Sequence, residues 1–250
     1  MRMRTILWDL DGTIADTEAL HFHAWQAALH VDSIEYEHAT FLADFGRNNR
    51  EILTDLLGDA ATPALIQEIS RRKERLFRNA LPTFTVPPLP GVIHWLDELQ
   101  NAGVRQVVSS SGTMANITAT IAKLDVGDYF MALMSGYKLP RGKPHPALFL
   151  NSAAAVGVTP ADCIVIEDSV AGVEAARRAG MASVAVGAVA AKPVLAQLLA
   201  DVPGQPCLPV GSLLDLTWTH LDALWQAAHA VEGFWPSATY EGSFLNAATG

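Results

Sequence analysis

The chain has 250 residues, of which half are apolar and 17% charged, with a formal net charge of -9. So apolar a chain can bury a core, which excludes a disordered protein. Its acidic balance excludes general nucleic-acid binding, which needs basic patches to neutralise phosphates, but leaves room for a small phosphorylated ligand held by local charges.

Thr5-Ile6-Leu7-Trp8 is a short apolar run ended by aspartate and reads as a buried strand. From about Glu18 to Ala80 the pattern is helical, with no convincing strand. The segment Pro82 to Gly91 then carries four prolines (Pro82, Pro87, Pro88 and Pro90), which prevent a helix and stiffen a connector. Beyond it, apolar strand-like runs at Val104–Val108, Cys163–Ile166 and Ala182–Val186 are interleaved with helical patterns at 92–101, 114–124, 147–156 and 170–179. Strands alternating with helices imply a parallel sheet covered on both faces. The expected fold is therefore α/β: a doubly wound, Rossmann-like core over residues 1–16 and 86–232, with an all-helical cap inserted over residues 17–85. Residues 233–250 form a tail without periodicity, and its structure is left open. Trp25, Trp95 and Trp225 lie on helical patterns and are expected to pack rather than to bind.

The chemistry gathers where apolar strands end, the edge at which open parallel sheets bind ligands. Asp9 and Asp11 follow the first strand, and alternation places them on one side with Leu10 turned away. Two such carboxylates can divide labour, one attacking phosphorus and the other shuttling a proton. An Asp-Gly turn at Gly12 explains the same letters, because both residues favour turns. Ser109, Ser110 and Ser111 end the next strand, where hydroxyls and backbone N–H groups suit a phosphate, or a serine simply caps a helix. Lys143, beside Pro144 at a helix entry, is either an anion holder or one more surface lysine. Glu167 and Asp168 close a strongly apolar strand. Two adjacent carboxylates there are costly without a cation, and hard oxygen ligands beside a phosphate favour Mg²⁺.

Taken together and in this order, the motif Asp9-Leu10-Asp11-Gly12-Thr13, then Ser109, Lys143 and Glu167-Asp168 resemble the haloacid dehalogenase-like superfamily over roughly residues 4–187. The opening of the insertion, Asp16-Thr17-Glu18-Ala19-Leu20-His21, is similar to the small-cap branch that holds β-phosphoglucomutase and sugar-phosphate phosphatases. The resemblance implies that Asp9 forms an aspartyl-phosphate and that Asp11 is general acid and base. It implies that Ser109 and Lys143 hold the phosphoryl group, and that Asp9, Asp11, Glu167 and Asp168 serve Mg²⁺. It places Gly12, Ser110, Thr17, His21, Gly46, Arg50 and Lys73 towards the substrate, with Thr17 at the hinge and His21 near Asp11. Five basic residues cluster from Arg71 to Arg78, and a solvated helix face accounts for most of them.

The activity expected is hydrolysis of a small phosphate monoester, a sugar phosphate, with phosphoglucomutase-type transfer as the alternative and a non-catalytic module on the same fold as a third reading. Cys163 and Cys207 are too few for a disulfide framework, which suggests a reducing, cytoplasmic setting. The chain opens with MRMRTILWDLDG, whose early aspartates do not suit a signal peptide, and no apolar run reaches the ~20 residues of a membrane span. A monomer with neither membrane nor nucleic-acid partner is expected.

Overall fold

The computed structural model describes residues 3–201 and 206–230; the expected tail lies outside them. Among the described residues six strands form one parallel sheet: β1 (Thr5–Trp8), β2 (Arg105–Ser110), β3 (Ala132–Ser135), β4 (Cys163–Glu167), β5 (Ala182–Val186) and β6 (Cys207–Val210). Their order is β3-β2-β1-β4-β5-β6, so β1 lies inside the sheet, between β2 and β4. The chain reverses its winding direction at that point, and a crevice is expected beyond the carboxyl ends of these strands.

Helices cover both faces: α5 (Val92–Asn101), α6 (Met114–Leu124), α7 (Ala147–Ala155), α8 (Val170–Arg178), α9 (Pro193–Asp201) and α10 (Trp218–Ala230). Alternation along the strands divides the core. Ile6, Trp8, Val108, Ile164 and Ile166 join the main apolar cluster, while Leu7, Val107 and Val165 pack with Phe149 and Ala176 on the other face. Trp95 and Trp225 are buried in the main cluster, with indole N–H groups on the carbonyls of Leu213 and Asp162.

Four helices lie between β1 and α5: α1 (Glu18–His30), α2 (His38–Asp44), α3 (Asn49–Leu57) and α4 (Pro63–Ala80). Asn48 and Thr62 cap α3 and α4 by accepting from Glu51 and Leu65 N–H, and Pro63 starts α4 with its fixed φ. Trp25 packs here, with Tyr36, Phe41, Leu53 and Ile69. At the base of the insertion, Leu20, Ala24, Phe77 and Leu81 belong to the main cluster instead. The two connecting segments run side by side: Asp16 N–H donates to Pro87 O and Leu89 N–H to Ile14 O, both at 3.0 Å. No helix among the described residues is long and apolar enough to cross a membrane.

Candidate active site

Asp9 continues β1 by one residue, its N–H donating to Ile166 O of β4 at 3.0 Å. That pairing brings it beside the end of β4, where Glu167 is the last strand residue and Asp168 follows. Ligand oxygens of Asp9, Glu167 and Asp168 all lie within 4.8 Å of one another. Lys143, from the loop before α7, is buried between them, with Nζ 2.5 Å from Asp9 Oδ1 and 2.6 Å from Glu167 Oε2. The lysine that could have been a surface residue is thus a buried cation.

Three carboxylates share one ammonium. Burial, then the charge of Glu167, pushes the Asp9 carboxyl up to about 8. Burial, Glu167 and Asp9 likewise hold the Asp168 carboxyl well above its ordinary value. Burial alone would lower Lys143, but the charges of Asp9 and Glu167 outweigh it and hold the ammonium protonated. A site with excess buried negative charge and hard oxygen donors fits a divalent cation such as Mg²⁺.

Two glycines let the carboxylates approach. Gly12 has φ +90°, and a Cβ there would stand 2.1 Å from Asp168 Oδ2. Gly172, in the first turn of α8, lies against Glu167: an added Cβ would be 2.0 Å from Glu167 Cδ. Ser169 completes the clamp, giving both its N–H (3.2 Å) and its hydroxyl (2.7 Å) to Glu167 Oε1 while it caps α8. Gly172→Ala should therefore force Glu167 out of place and destabilise the fold by about 1–3 kcal/mol, as overpacking does. An unchanged denaturant midpoint would show that Glu167 moves freely there.

Asp11 faces the insertion. Its Oδ1 accepts from Thr17 Oγ1 at 2.7 Å and meets His21 Nε2 at 3.0 Å, while Ser110 Oγ lies 3.4 Å from Oδ2. Lys73 Nζ is 2.9 Å from His21 Nδ1. An ammonium only donates, so Nδ1 accepts and the proton sits on Nε2, pointing at Asp11. Burial by itself would raise Asp11, but His21, Thr17 and Lys73 outweigh it and bring the carboxyl down to about 2. Thr17, His21 and Lys73, all residues of the insertion or its hinge, thus converge on one carboxylate of the sheet domain.

The three serines separate. Ser109 is fully buried on the face covered by α7, where its hydroxyl donates to Ser152 Oγ at 2.8 Å. It does not reach the carboxylates, because alternation turns it towards the helix layer. Ser110 is the serine beside Asp11, and its Oγ also accepts from Gly112 N–H. Of the two serines expected near the phosphoryl group, Ser110 is the one beside Asp11, and Ser109 is not. Ser111 Oγ donates to Gly46 O at 3.0 Å, closing the insertion onto the sheet domain.

Gly46 lines a cavity of about 50 Å³ above Asp11, together with His21, Lys73, Glu74, Asn49 and Arg47. Arg50 does not line it; it is exposed on α3. Arg47 is the arginine that does, and it is tied to Asp44 (2.7 Å) and Asp55 (2.6 Å). Of the basic cluster on α4, Lys73 alone among Arg71, Arg72, Lys73, Arg75 and Arg78 is buried at this cavity. Glu74 and Asn49, which no motif singles out, are buried beside it. A second cavity, of about 1330 Å³, opens on the outer side of Asp168.

A sequence profile described as haloacid dehalogenase-like hydrolase matches residues 6–186, from β1 to the end of β5. The chain belongs to the haloacid dehalogenase-like hydrolase family. Within this family it is 35% identical over 191 residues to the β-phosphoglucomutase of Bacillus subtilis, covering 74% of this chain and 84% of that one. It is 32% identical over 187 residues to the fructose-1-phosphate phosphatase of Escherichia coli, covering 74% of this chain and 97% of that one. The crystal structure of a β-phosphoglucomutase from Clostridium difficile superposes with a TM-score of 0.76 at 25% identity, covering 90% of this chain and 98% of that one. The match to such structures agrees with the expected fold, a parallel Rossmann-like sheet carrying a helical insertion.

Proposed function

We propose that this haloacid dehalogenase-like hydrolase is a Mg²⁺-dependent phosphatase acting on a small phosphate monoester of the sugar-phosphate kind. The observation that carries the reading is the pairing of two differently treated carboxylates at one strand end: Asp9 against Lys143, and Asp11 against Thr17 and His21. Likeness to a sugar-phosphate phosphatase and to a sugar-phosphate mutase supports the same class of ester.

In this reading Lys143 fixes Asp9 through Oδ1, and the other carboxylate oxygen attacks phosphorus. The bond from phosphorus to the ester oxygen breaks, and Asp11 delivers a proton to that oxygen. Asp11, again a carboxylate, then takes a proton from the water that attacks the Asp9 phosphoryl group, releasing phosphate and restoring Asp9. Lys143 and Ser110 hold the phosphoryl oxygens. Asp9, Asp168 and the Asp11 backbone would hold Mg²⁺, with Glu167 supporting; when bound, the ion offsets charge on the transferring group. The insertion acts as a cap that excludes bulk water.

The test is release of phosphate from an aryl phosphate and from a panel of sugar phosphates with Mg²⁺ and with EDTA. Turnover that needs Mg²⁺ is expected. No turnover of any ester would overturn the proposal. The 35% identity to β-phosphoglucomutase favours a second reading, in which a sugar hydroxyl replaces water as acceptor; formation of glucose 6-phosphate from β-glucose 1-phosphate would support it.

Stability offers an independent check. The folded Asp9 carboxyl keeps its proton up to about 8, whereas the unfolded one loses it near 3.8. The folded state binds more protons between those values, so stability in EDTA should fall as pH rises from about 4 to 8 and then level off. Mg²⁺ should raise the melting temperature most at the upper end of that window. A melting temperature that climbs with pH in EDTA and ignores Mg²⁺ would contradict the metal assignment.

A further inference from the structure

We infer that the cavity above Asp11 accepts a leaving alcohol with no second anionic group, and that Glu74 sets this preference. The inference rests on the phosphatase reading and specifies its substrate: a monophosphate of a neutral, hydroxyl-rich alcohol, as opposed to a bisphosphate or a phosphorylated acid.

The charges lining the cavity are unevenly matched. Asp11, Asp44 and Glu74 supply three carboxylates, and Arg47 and Lys73 supply two cations. His21 meets Lys73 at Nδ1 and Asp11 at Nε2, so both its ring nitrogens are engaged. Neither cation is available to a second phosphate. Lys73 is 4% exposed and held between His21 Nδ1 and Glu74 Oε1, at 2.9 and 3.0 Å. Arg47 is shared between Asp44 and Asp55.

Glu74 is the group that neutralises the buried lysine. It is itself buried and takes donors from three elements: Lys73 on its own helix, Asn49 Nδ2 of α3 at 2.6 Å, and Asn116 Nδ2 of α6. Burial alone would raise its carboxyl, but Lys73 and Asn49 outweigh this and hold it below its ordinary value. So Glu74 remains an anion facing the leaving-group side. Trp25, Phe41, Phe45 and Ile52 supply the apolar part of the wall. Aromatic faces suit the C–H face of a polyol, and the carboxylates of Asp44 and Glu74 suit its hydroxyls.

With one carboxylate in excess over the cations, even a single further negative charge about 6 Å away lowers kcat/KM by on the order of 100-fold at an effective dielectric near 20, and a dianion lowers it by more. The test compares kcat/KM with Mg²⁺ for fructose 1-phosphate and sorbitol 6-phosphate against fructose 1,6-bisphosphate and phosphoglycolate. The neutral pair should be favoured by on the order of 100-fold. Glu74→Gln keeps the size and the hydrogen-bond acceptor but leaves Lys73 unneutralised, and should narrow the ratio by about tenfold or more. With p-nitrophenyl phosphate turned over as a control, equal rates for the two pairs in the wild type would overturn the inference and leave the phosphatase reading standing. A folded Glu74→Gln variant with the wild-type ratio would remove Glu74 from the account. Failure to turn over p-nitrophenyl phosphate or any sugar phosphate would instead remove the phosphatase reading and the inference with it. Glucose 1-phosphate supplied with a trace of glucose 1,6-bisphosphate should give glucose and phosphate; glucose 6-phosphate as the main product would contradict a cavity closed to a second phosphate.

Discussion

Asp9→Asn should leave turnover of every phosphate ester at least about 10⁴-fold below wild type, because an amide cannot attack phosphorus and no other group can take its place. Asp11 points away towards Thr17 and His21, and Glu167 is fully engaged by Lys143 and Ser169. The variant should nevertheless fold. The asparagine carbonyl can still accept from Lys143, and it removes one of three crowded carboxylates. Its melting temperature in EDTA should match or exceed that of the wild type. A variant within tenfold of wild-type rate would show that Asp9 is not the nucleophile.

Asp11→Asn should slow turnover by roughly 10²–10⁴-fold, the usual worth of a positioned acid and base, and the loss should depend on the leaving group. The resting Asp11 is a carboxylate, with its pKa brought down to about 2, so it is ready as a base. To act as an acid it must first gain a proton, and a phosphate dianion arriving beside it favours that uptake. A sugar alkoxide needs this proton, whereas an aryl oxide leaves almost unaided. The first half of the reaction should therefore survive with an aryl phosphate while hydrolysis of the phosphoenzyme stalls. Rapid mixing should show a burst of about one phenol per enzyme, followed by slow release. Equal losses for alkyl and aryl esters, without a burst, would mean that Asp11 only shapes the site.

Legibility in the sequence followed burial. β1, β4 and β5 read as unbroken apolar runs because both of their faces are covered, and every one of their residues is buried. β3 escaped notice because it is a half-exposed edge strand, and β6 because Pro209 interrupts it, which only an edge tolerates. Asp9, Asp11 and Asp168 could be singled out because local patterns place them at strand ends, whereas Lys143, in the loop before α7, stood out only through the order of the motifs. The choice among Ser109, Ser110 and Ser111 could not be made locally, since it depends on α7 claiming one face. Arg50 and Arg47 are equally basic in sequence, and only the turn before α3 decides which one meets the cavity. Glu74 was hidden for another reason. Its partners Asn49 and Asn116 lie on helices far away in the chain, and no spacing announces such a triad.

The central place of β1 has a consequence in time. Thr5 pairs with Arg105 on one side and with Cys163 on the other, so β1 leaves the ribosome before both its neighbours and waits for them. The helices between Glu18 and Ala80 form from nearby residues and need no such wait. During synthesis the chain should thus carry a folded helical knob behind an unpaired Thr5-Ile6-Leu7-Trp8 segment, the stretch most in need of shelter by a chaperone until β4 arrives.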